Sequence, residues 1–191
     1  LRAQQQGVVW KFVLTPEPVQ NLGVLAASDR FEGYAAERTQ ILKFTTDNHI
    51  DNVVFVTADI HGTLVNNLTY QLGPFQPQMP TGAFEISTGA VAFEEPFGPT
   101  VADLAAQLGF ISSAQKAYYE SLPAFPGLGK DNFIEALING QTAPLGYDPV
   151  GLNNSPIQVS NSVGGYVATH IYGWTEFDID RDSKALTVTT Y

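Results

Sequence analysis

The sequence predicts an α/β domain with a mixed β-sheet and flanking helices, and three observations carry this prediction. Two apolar, β-branched runs, at residues 8–14 and 53–57, have the character of buried strands. A segment with helical periodicity lies between them, with short connections on either side. Residues 166–190 alternate apolar and polar, as antiparallel strands do. The strand, helix, strand order favours a right-handed crossover and parallel pairing of the first two strands.

The elements of this crossover can be placed from local signals. Val8 to Leu14 is predicted to be a strand buried on both faces, and it stops at Pro16 because proline cannot continue the ladder. A helix is predicted from about Ala35 to Thr46, after Gly33, which can form the entry turn. Val53 to Thr57 is predicted to be the next buried strand.

Signals after the crossover are weaker and predict shorter elements. Thr63 to Leu72 fits a strand or a short helix, and Ala83 to Ser87 fits a short strand. A helix is predicted to begin with Thr100 as its N-cap, with Asp103 completing a variant of the capping box. Further helices are predicted at residues 113–121 and 131–138, and strands at 166–171, 175–179 and 185–190.

Composition limits the classes of function. The 191 residues suit one domain with its own core, since 44% are hydrophobic and only 15% are charged. A formal net charge of −10 without a basic run disfavours binding to nucleic acid or anionic lipid. No run of about eighteen apolar residues occurs, so no membrane segment is expected, and the start LRAQQQG does not resemble a signal peptide. The absence of cysteine excludes disulfides and thiolate sites.

The stretch FVTADIHGTL, residues 55–64, is the main candidate for a functional site. Asp59 and His61 follow a predicted buried strand, and the carboxyl ends of such strands are where open α/β sheets bind ligands. In an extended segment, residues two apart point to the same side, so these side chains could share one ion or a pair of ions. A carboxylate and an imidazole suit iron, manganese or zinc, or a mixed site with calcium. The alternative is an aspartate that caps a turn beside a histidine bonded to backbone.

The other histidines have structural interpretations. His49 ends the first helix, where the helix dipole favours a cation. His170 lies in a strand pattern close to aromatic residues, where it could be a core histidine or reach the site from the terminal sheet, and the first interpretation is favoured. The segment SDRFEGYAAER is dense in ionisable groups, which an ordinary helix start would also explain: Asp29, Glu32, Glu37 and Arg38.

Three stretches are read together, in the order WKFVLTPEPVQ, DRFEGYAAERTQILKF and NVVFVTADIHGTLVNNL. Over about residues 8 to 70, their order and spacing resemble the pattern of the PhoD-like phosphatases, the alkaline phosphatase D family of calcineurin-type metallophosphoesterases. The resemblance implies the C-terminal half of a calcineurin-like two-sheet sandwich, with a mixed sheet and flanking helices. EISTGAV and the terminal YGW and LTV segments are compatible with later family strands.

The resemblance also implies a function and a set of site residues. Asp59 and His61 correspond to the D-x-H metal ligands, which implies catalytic and metal-binding roles for both. Asp29, Tyr34 and Arg38 correspond to the turn and helix that border the substrate. The implied activity is metal-dependent hydrolysis of phosphate monoesters or diesters, with iron and calcium ions as cofactors. A secreted, periplasmic or extracellular location is implied as well.

The chain departs from the family pattern at three places. Ala58 stands where the family usually has glycine, and Thr15 stands where it often has an asparagine metal ligand. The remaining family ligands belong to an N-terminal half that these residues do not include, so that half is an expected partner, on another chain or an adjoining segment. The rival interpretations are a non-catalytic phosphate-binding or interaction module with the same fold, and a carbohydrate-binding domain that uses the loops FEEPFG and YYESLPAFPG.

Overall fold

A computed structural model describes residues 1–23, 30–92, 95–125, 127–160 and 164–191. In chain order the elements are α1 (Arg2–Gln5), β1 (Lys11–Leu14), a 3-10 turn (Phe31–Tyr34), α2 (Ala35–Asp47), β2 (Val53–Thr57), β3 (Thr63–Tyr70), β4 (Met79–Ser87), α3 (Phe97–Gln107), α4 (Ser113–Ser121), α5 (Leu128–Thr142), a second 3-10 turn (Ala143–Leu145), β5 (Val167–Ala168), β6 (Thr175–Ile179) and β7 (Leu186–Thr190).

The main sheet has five strands in the order β1-β2-β4-β3-β5. β1, β2 and β4 are parallel, and β3 is antiparallel to both β4 and β5. The predicted mixed α/β sheet with flanking helices and the parallel pairing of the first two strands are therefore confirmed. Because β1, β2 and β4 are parallel, their carboxyl ends lie at the same edge of the sheet.

All the longer helices pack on one face of the main sheet. Leu42 of α2 packs with Val53 and Phe55 of β2 and with Leu68 of β3 in one buried cluster. Leu64 of β3 lies in a second cluster on the same face, which α3, α4 and α5 cover. Both clusters combine buried aliphatic side chains with buried aromatic rings, and together they supply most of the hydrophobic stabilisation of this layer.

The opposite face of the sheet is covered by the hairpin of β6 and β7, which forms a separate two-stranded sheet. Phe177 of β6 makes an edge-to-face contact with Phe12 of β1 at 5.4 Å between ring centroids. The Trp10 indole N–H donates to the Lys184 carbonyl at 2.8 Å, which joins the two ends of the chain. The hairpin therefore covers Val54 and its neighbours on this face.

The first strand differs from its prediction. Only Lys11–Leu14 is strand, and it is not buried on both faces, because Val13 is 37% and Leu14 78% exposed. The reason lies in the sheet order: β1 is an edge strand whose only strand partner among the described residues is β2. The sequence could not show this, since an apolar run has the same appearance at an edge and at the centre of a sheet.

Several element boundaries also differ. α3 begins at Phe97 with Pro96 as N-cap, so Thr100 lies inside the helix and no side chain caps it. Pro99 is tolerated there because the first-turn N–H groups have no partner within the helix. Thr63–Tyr70 is a strand, β4 and α5 are longer than predicted, and of residues 166–171 only Val167–Ala168 pair. Across the described ranges, no helix has the length and apolar character needed to cross a bilayer.

Candidate active site

The loop that follows β2 holds Asp59 and His61 in left-handed backbone conformations. The φ angles are +68° at Asp59 and +51° at His61, a region that non-glycine residues rarely adopt, although aspartate and histidine do so more often than most. The extended geometry expected from the sequence is therefore wrong, because β2 ends at Thr57 and the two residues lie in a turn. Strain of this kind clusters at binding and catalytic sites.

The two side chains nevertheless border the same cavity. It has a volume of about 180 Å³ and opens to solvent beside the first turns of α3. The Asp59 side chain is 44% exposed, so its carboxylate can be reached from solvent. The cavity is lined by Arg30, Asp59, Ile60, His61, Glu95, Phe97, Thr100, Val101 and Leu104.

Arg30 is the residue of this cavity that sequence reasoning missed. Its Nη2 donates to Asp59 Oδ2 at 3.2 Å, and its side chain is only 11% exposed. Its Nη1 is buried and has no hydrogen-bond partner among the described residues. The signal in the sequence was its position in the motif DRFEGY, directly after Asp29, one of the predicted substrate-bordering residues.

Backbone contacts from α3 hold the loop in place. The Phe97 N–H donates to the His61 carbonyl at 3.1 Å, and the Gly98 N–H donates to the Thr169 carbonyl at 2.8 Å. Gly62 lies against both segments, since a Cβ there would be 3.0 Å from the Phe97 Cβ and 3.3 Å from the Thr169 Cα. The start of α3 and Thr169 therefore set the position of His61.

A buried hydrogen-bond network holds Thr169, which contacts Gly62 and the start of α3. Asp131 Oδ1 accepts hydrogen bonds from the Thr169 N–H at 2.7 Å and its hydroxyl at 2.9 Å, and it lies 2.7 Å from His170 Nδ1. His170 Nε2 lies 2.7 Å from the Tyr119 hydroxyl, and burial raises the pKa of Tyr119 to about 12. Both ring nitrogens of His170 are thus engaged inside the protein, as the structural interpretation of this residue expects.

The predicted substrate-bordering residues take different places. The Arg38 side chain is buried, and it donates from Nε to the Val19 carbonyl at 2.5 Å and from Nη1 to the Thr69 carbonyl at 2.8 Å. Tyr34 is 60% exposed and does not line the cavity, and neither does Arg38. Asp29 lies outside the described residues. A role in substrate binding stays a prediction for all three.

A buried carboxyl group joins the carboxyl ends of the parallel strands. Glu85 of β4 is fully buried, and its Oε2 accepts hydrogen bonds from the N–H groups of Val19 at 2.7 Å and Gln20 at 3.0 Å. Its Oε1 accepts from the Thr57 hydroxyl at 3.1 Å. Burial raises the pKa of Glu85 to about 7, although these hydrogen bonds oppose the shift. Glu85 thereby ties the segment after β1 to the end of β2.

The possible metal-ligating side chains described in this region are too few to enclose an ion by themselves. Within the ranges that the structure describes, no three His, Asp or Glu side chains are grouped closely enough to enclose a metal ion. Asp59 and His61 supply one hard oxygen donor and one imidazole at an accessible cavity, a donor set that iron, zinc or manganese accepts. Thr15, at the position where an asparagine ligand was expected, donates its hydroxyl to the Glu17 carbonyl at 2.6 Å. The residues fit a metal site that needs ligands from elsewhere.

The aromatic side chains of the two loops considered for carbohydrate recognition are divided between the core and the surface. Phe97 is 7% and Tyr119 is 3% exposed, and both belong to the cluster under α3, α4 and α5. Phe93 and Glu94 lie outside the described residues. Among the described residues of these two loops, Tyr118 and Phe125 are the large aromatic side chains that remain exposed.

Parts of the chain are similar to known proteins. The chain is 29% identical over 59 residues to alkaline phosphatase D of Bacillus subtilis (strain 168), a match that covers 31% of this chain and 9% of that protein. The solved structure titled "Structure of PhoD" matches with a TM-score of 0.34 and 19% identity, covering 42% of this chain and 16% of the other. The chain thus spans about a tenth of the length of this curated relative. The PhoD-like phosphatase family matches residues 3–125, and the chain therefore belongs to the PhoD-like phosphatase family.

Proposed function

We propose that this chain forms part of the active site of a metal-dependent phosphoesterase that hydrolyses phosphate monoesters or diesters. The observation that carries the proposal is the joint position of Asp59 and His61 in a strained turn that lines a solvent-accessible cavity. Membership of the PhoD-like phosphatase family supports phosphoester chemistry there. The metal requirement and the choice of ester are part of the proposal.

In this proposal Asp59 and His61 are metal ligands, and the turn holds their donor atoms before any metal arrives. A bound metal would supply Lewis-acid activation of the ester and of a water nucleophile. Iron suits an imidazole together with a carboxylate, and calcium suits carboxylate oxygens. Both ions therefore fit the donor types present. The contacts from Phe97 to His61 and from Gly62 to Thr169 keep the turn in its place beside the cavity.

The chain supplies too few ligands to act alone in this proposal. Two protein donors leave most of the coordination sphere to water, whereas a two-metal site needs several carboxylates or imidazoles. The remaining ligands are therefore proposed to come from an N-terminal half, on another chain or an adjoining segment. A secreted, periplasmic or extracellular location is also part of the proposal.

The second candidate is a non-catalytic phosphate-binding or interaction module with the same fold. Thr15 favours it, because asparagine carbonyl oxygens are common ligands of hard cations, whereas the Thr15 hydroxyl is turned toward the Glu17 carbonyl. The two candidates differ in whether complementation restores turnover.

Metal content is the first test. We expect Asp59→Asn and His61→Gly to lower the bound metal together, measured by elemental analysis after equilibration with iron and calcium salts. Both replacements tolerate positive φ, so folding should be retained. Asp178→Asn, an exposed carboxylate on β6, is the control and should retain metal. Unchanged metal in both site variants would exclude the proposed ligands.

Activity is the second test. We expect no hydrolysis of p-nitrophenyl phosphate or bis(p-nitrophenyl) phosphate by this chain alone with iron and calcium, and turnover once the N-terminal half is supplied. Complemented protein that binds metal but stays inactive would favour the non-catalytic module. Robust turnover by the chain alone, lost in Asp59→Asn, would contradict the shared site and show that all ligands lie here.

A further inference from the structure

We propose that Arg30 binds the phosphoryl group of the ester in the cavity beside Asp59 and His61. The inference rests on the proposed function of this cavity and names the residue that recognises its substrate. Arg30 is the only Lys or Arg that lines the cavity as described, and the chain carries nine such residues against nineteen acids. An anion that enters the cavity therefore meets the Arg30 guanidinium.

One terminal nitrogen of the guanidinium is engaged by Asp59, and the other has no hydrogen-bond partner among the described residues. Nη2 is oriented by Asp59 Oδ2 at 3.2 Å, while Nη1 is buried and has no hydrogen-bond partner among the described residues. A buried donor without a partner is costly, so such a group in a native structure requires an explanation. A phosphoryl oxygen would satisfy Nη1 once the side chain turns this atom toward the cavity that Arg30 lines, and guanidinium groups favour phosphate through charge-assisted hydrogen bonds.

The position of Arg30 also agrees with the charges around it. Asp59 and Glu95 lie on the same cavity, so a phosphate would be repelled unless cations offset the two carboxylates. Arg30 supplies one positive charge at a side chain that is only 11% exposed, where screening by solvent is weak. Its ion pair with Asp59 would hold the guanidinium next to the place where the proposed metal binds.

An ion pair that only stabilises the turn is the competing explanation, and binding measurements separate the two. The 191-residue chain is titrated with Mn²⁺ by calorimetry, and the Mn²⁺-loaded protein is then titrated with inorganic phosphate. We expect Arg30→Gln to weaken phosphate binding roughly tenfold while Mn²⁺ binding is not weakened. Arg30→Lys, which keeps the charge but loses the planar fork, should fall between Arg30→Gln and the unchanged protein.

The matched control is Lys43→Gln, which removes the same charge from an exposed pair with Asp47 on α2 and should leave phosphate binding unchanged. Phosphate affinity of Arg30→Gln within about twofold of the unchanged protein would overturn the inference. Equal loss of Mn²⁺ and phosphate binding would also overturn it, because a structural role predicts that pattern. If the unchanged chain, loaded with Mn²⁺, binds no phosphate at all, the inference is likewise overturned.

Failure of the proposed function gives a different result. If Asp59→Asn leaves Mn²⁺ binding intact, the proposed metal ligands are wrong whatever Arg30 does. If Arg30→Gln fails to fold by circular dichroism, Arg30→Lys carries the test alone. In that case phosphate affinity equal to that of the unchanged protein overturns the inference, and selective weakening supports it.

Discussion

At the scale of single residues, conformational strain and burial are concentrated around the ends of the parallel strands. Left-handed conformations at Asp59 and His61 cost roughly 1–3 kcal/mol each when other contacts impose them. The Phe97 N–H and the close packing of Gly62 are the contacts that hold this turn. The same region contains Glu85, whose burial makes folding sensitive to pH.

Glu85 leads to a prediction about stability. Its pKa is about 7 in the folded protein and close to the ordinary 4.5 in the unfolded chain, so between these values the folded state binds more protons. The contribution of Glu85 to the free energy of unfolding is therefore greatest below pH 4.5, falls as pH rises to 7, and is flat above. The fall is at most about 3 kcal/mol.

Urea unfolding of Glu85→Gln and the unchanged protein between pH 4.5 and pH 8 measures this contribution. The difference between the two free energies should change across that interval, because glutamine does not titrate and keeps the same shape. Glu37→Gln, an exposed replacement on α2, should follow the unchanged protein. Parallel pH profiles for Glu85→Gln and the unchanged protein would show that Glu85 is not protonated on folding.

At the scale of elements, the position of α3 depends on how closely its first turn approaches the rest of the fold. Gly98 lies directly against the His170 ring, which Asp131 and Tyr119 hold on either side. The same turn supplies the Phe97 N–H to the candidate site. A displacement of α3 would therefore move the loop that carries Asp59 and His61.

Gly98→Ala tests this coupling. A Cβ at residue 98 would overlap the His170 ring, so we expect a loss of about 2 kcal/mol or more in the free energy of unfolding. Gly140→Ala is the control, because residue 140 lies in α5 with no atom near its would-be Cβ. It should raise stability by about 0.5–1 kcal/mol. Equal effects of the two changes in chemical denaturation would contradict the packing described for α3.

At the scale of the whole molecule, both faces of the main sheet are covered, whereas its edge at β1 is open. Helices cover one face and the β6–β7 hairpin covers the other, while the outer edge of β1 has no strand partner among the described residues. Exposed strand edges with apolar side chains are sites of association. Leu14, at 78% exposure, is the most exposed large apolar residue of this strand.

The isolated chain is therefore expected to self-associate through β1, and Leu14→Lys should reduce this association. A charge on an edge strand opposes pairing with a second copy, and the side chain is too exposed for its loss to affect the core. Sedimentation velocity at several protein concentrations measures the effect. Phe125→Lys, which changes an 85% exposed residue elsewhere, should leave association unaltered. A chain that is already monomeric at high concentration would contradict the prediction.

The sequence by itself determined the family and those helices and strands whose ends are marked by local sequence patterns. β2, α4 and β6 have the predicted boundaries, because turn residues and periodicity mark both ends of each segment. The α2 helix differs from its prediction by one residue at its end. The motif that ends in Asp59 and His61 also identified the candidate site, since its residue types and spacing do not depend on packing.

Only the tertiary structure decided the features that depend on distant neighbours. Whether residues 8–14 form an edge or a central strand depends on the pairing of other strands, which no local pattern encodes. Arg38 and Arg30 lie eight positions apart, yet one binds backbone carbonyls in the core and the other lines the cavity. The residue type is the same at both positions, so the sequence alone does not separate them. A structural guanidinium differs from one that can bind a ligand only in the groups that folding brings within hydrogen-bonding distance.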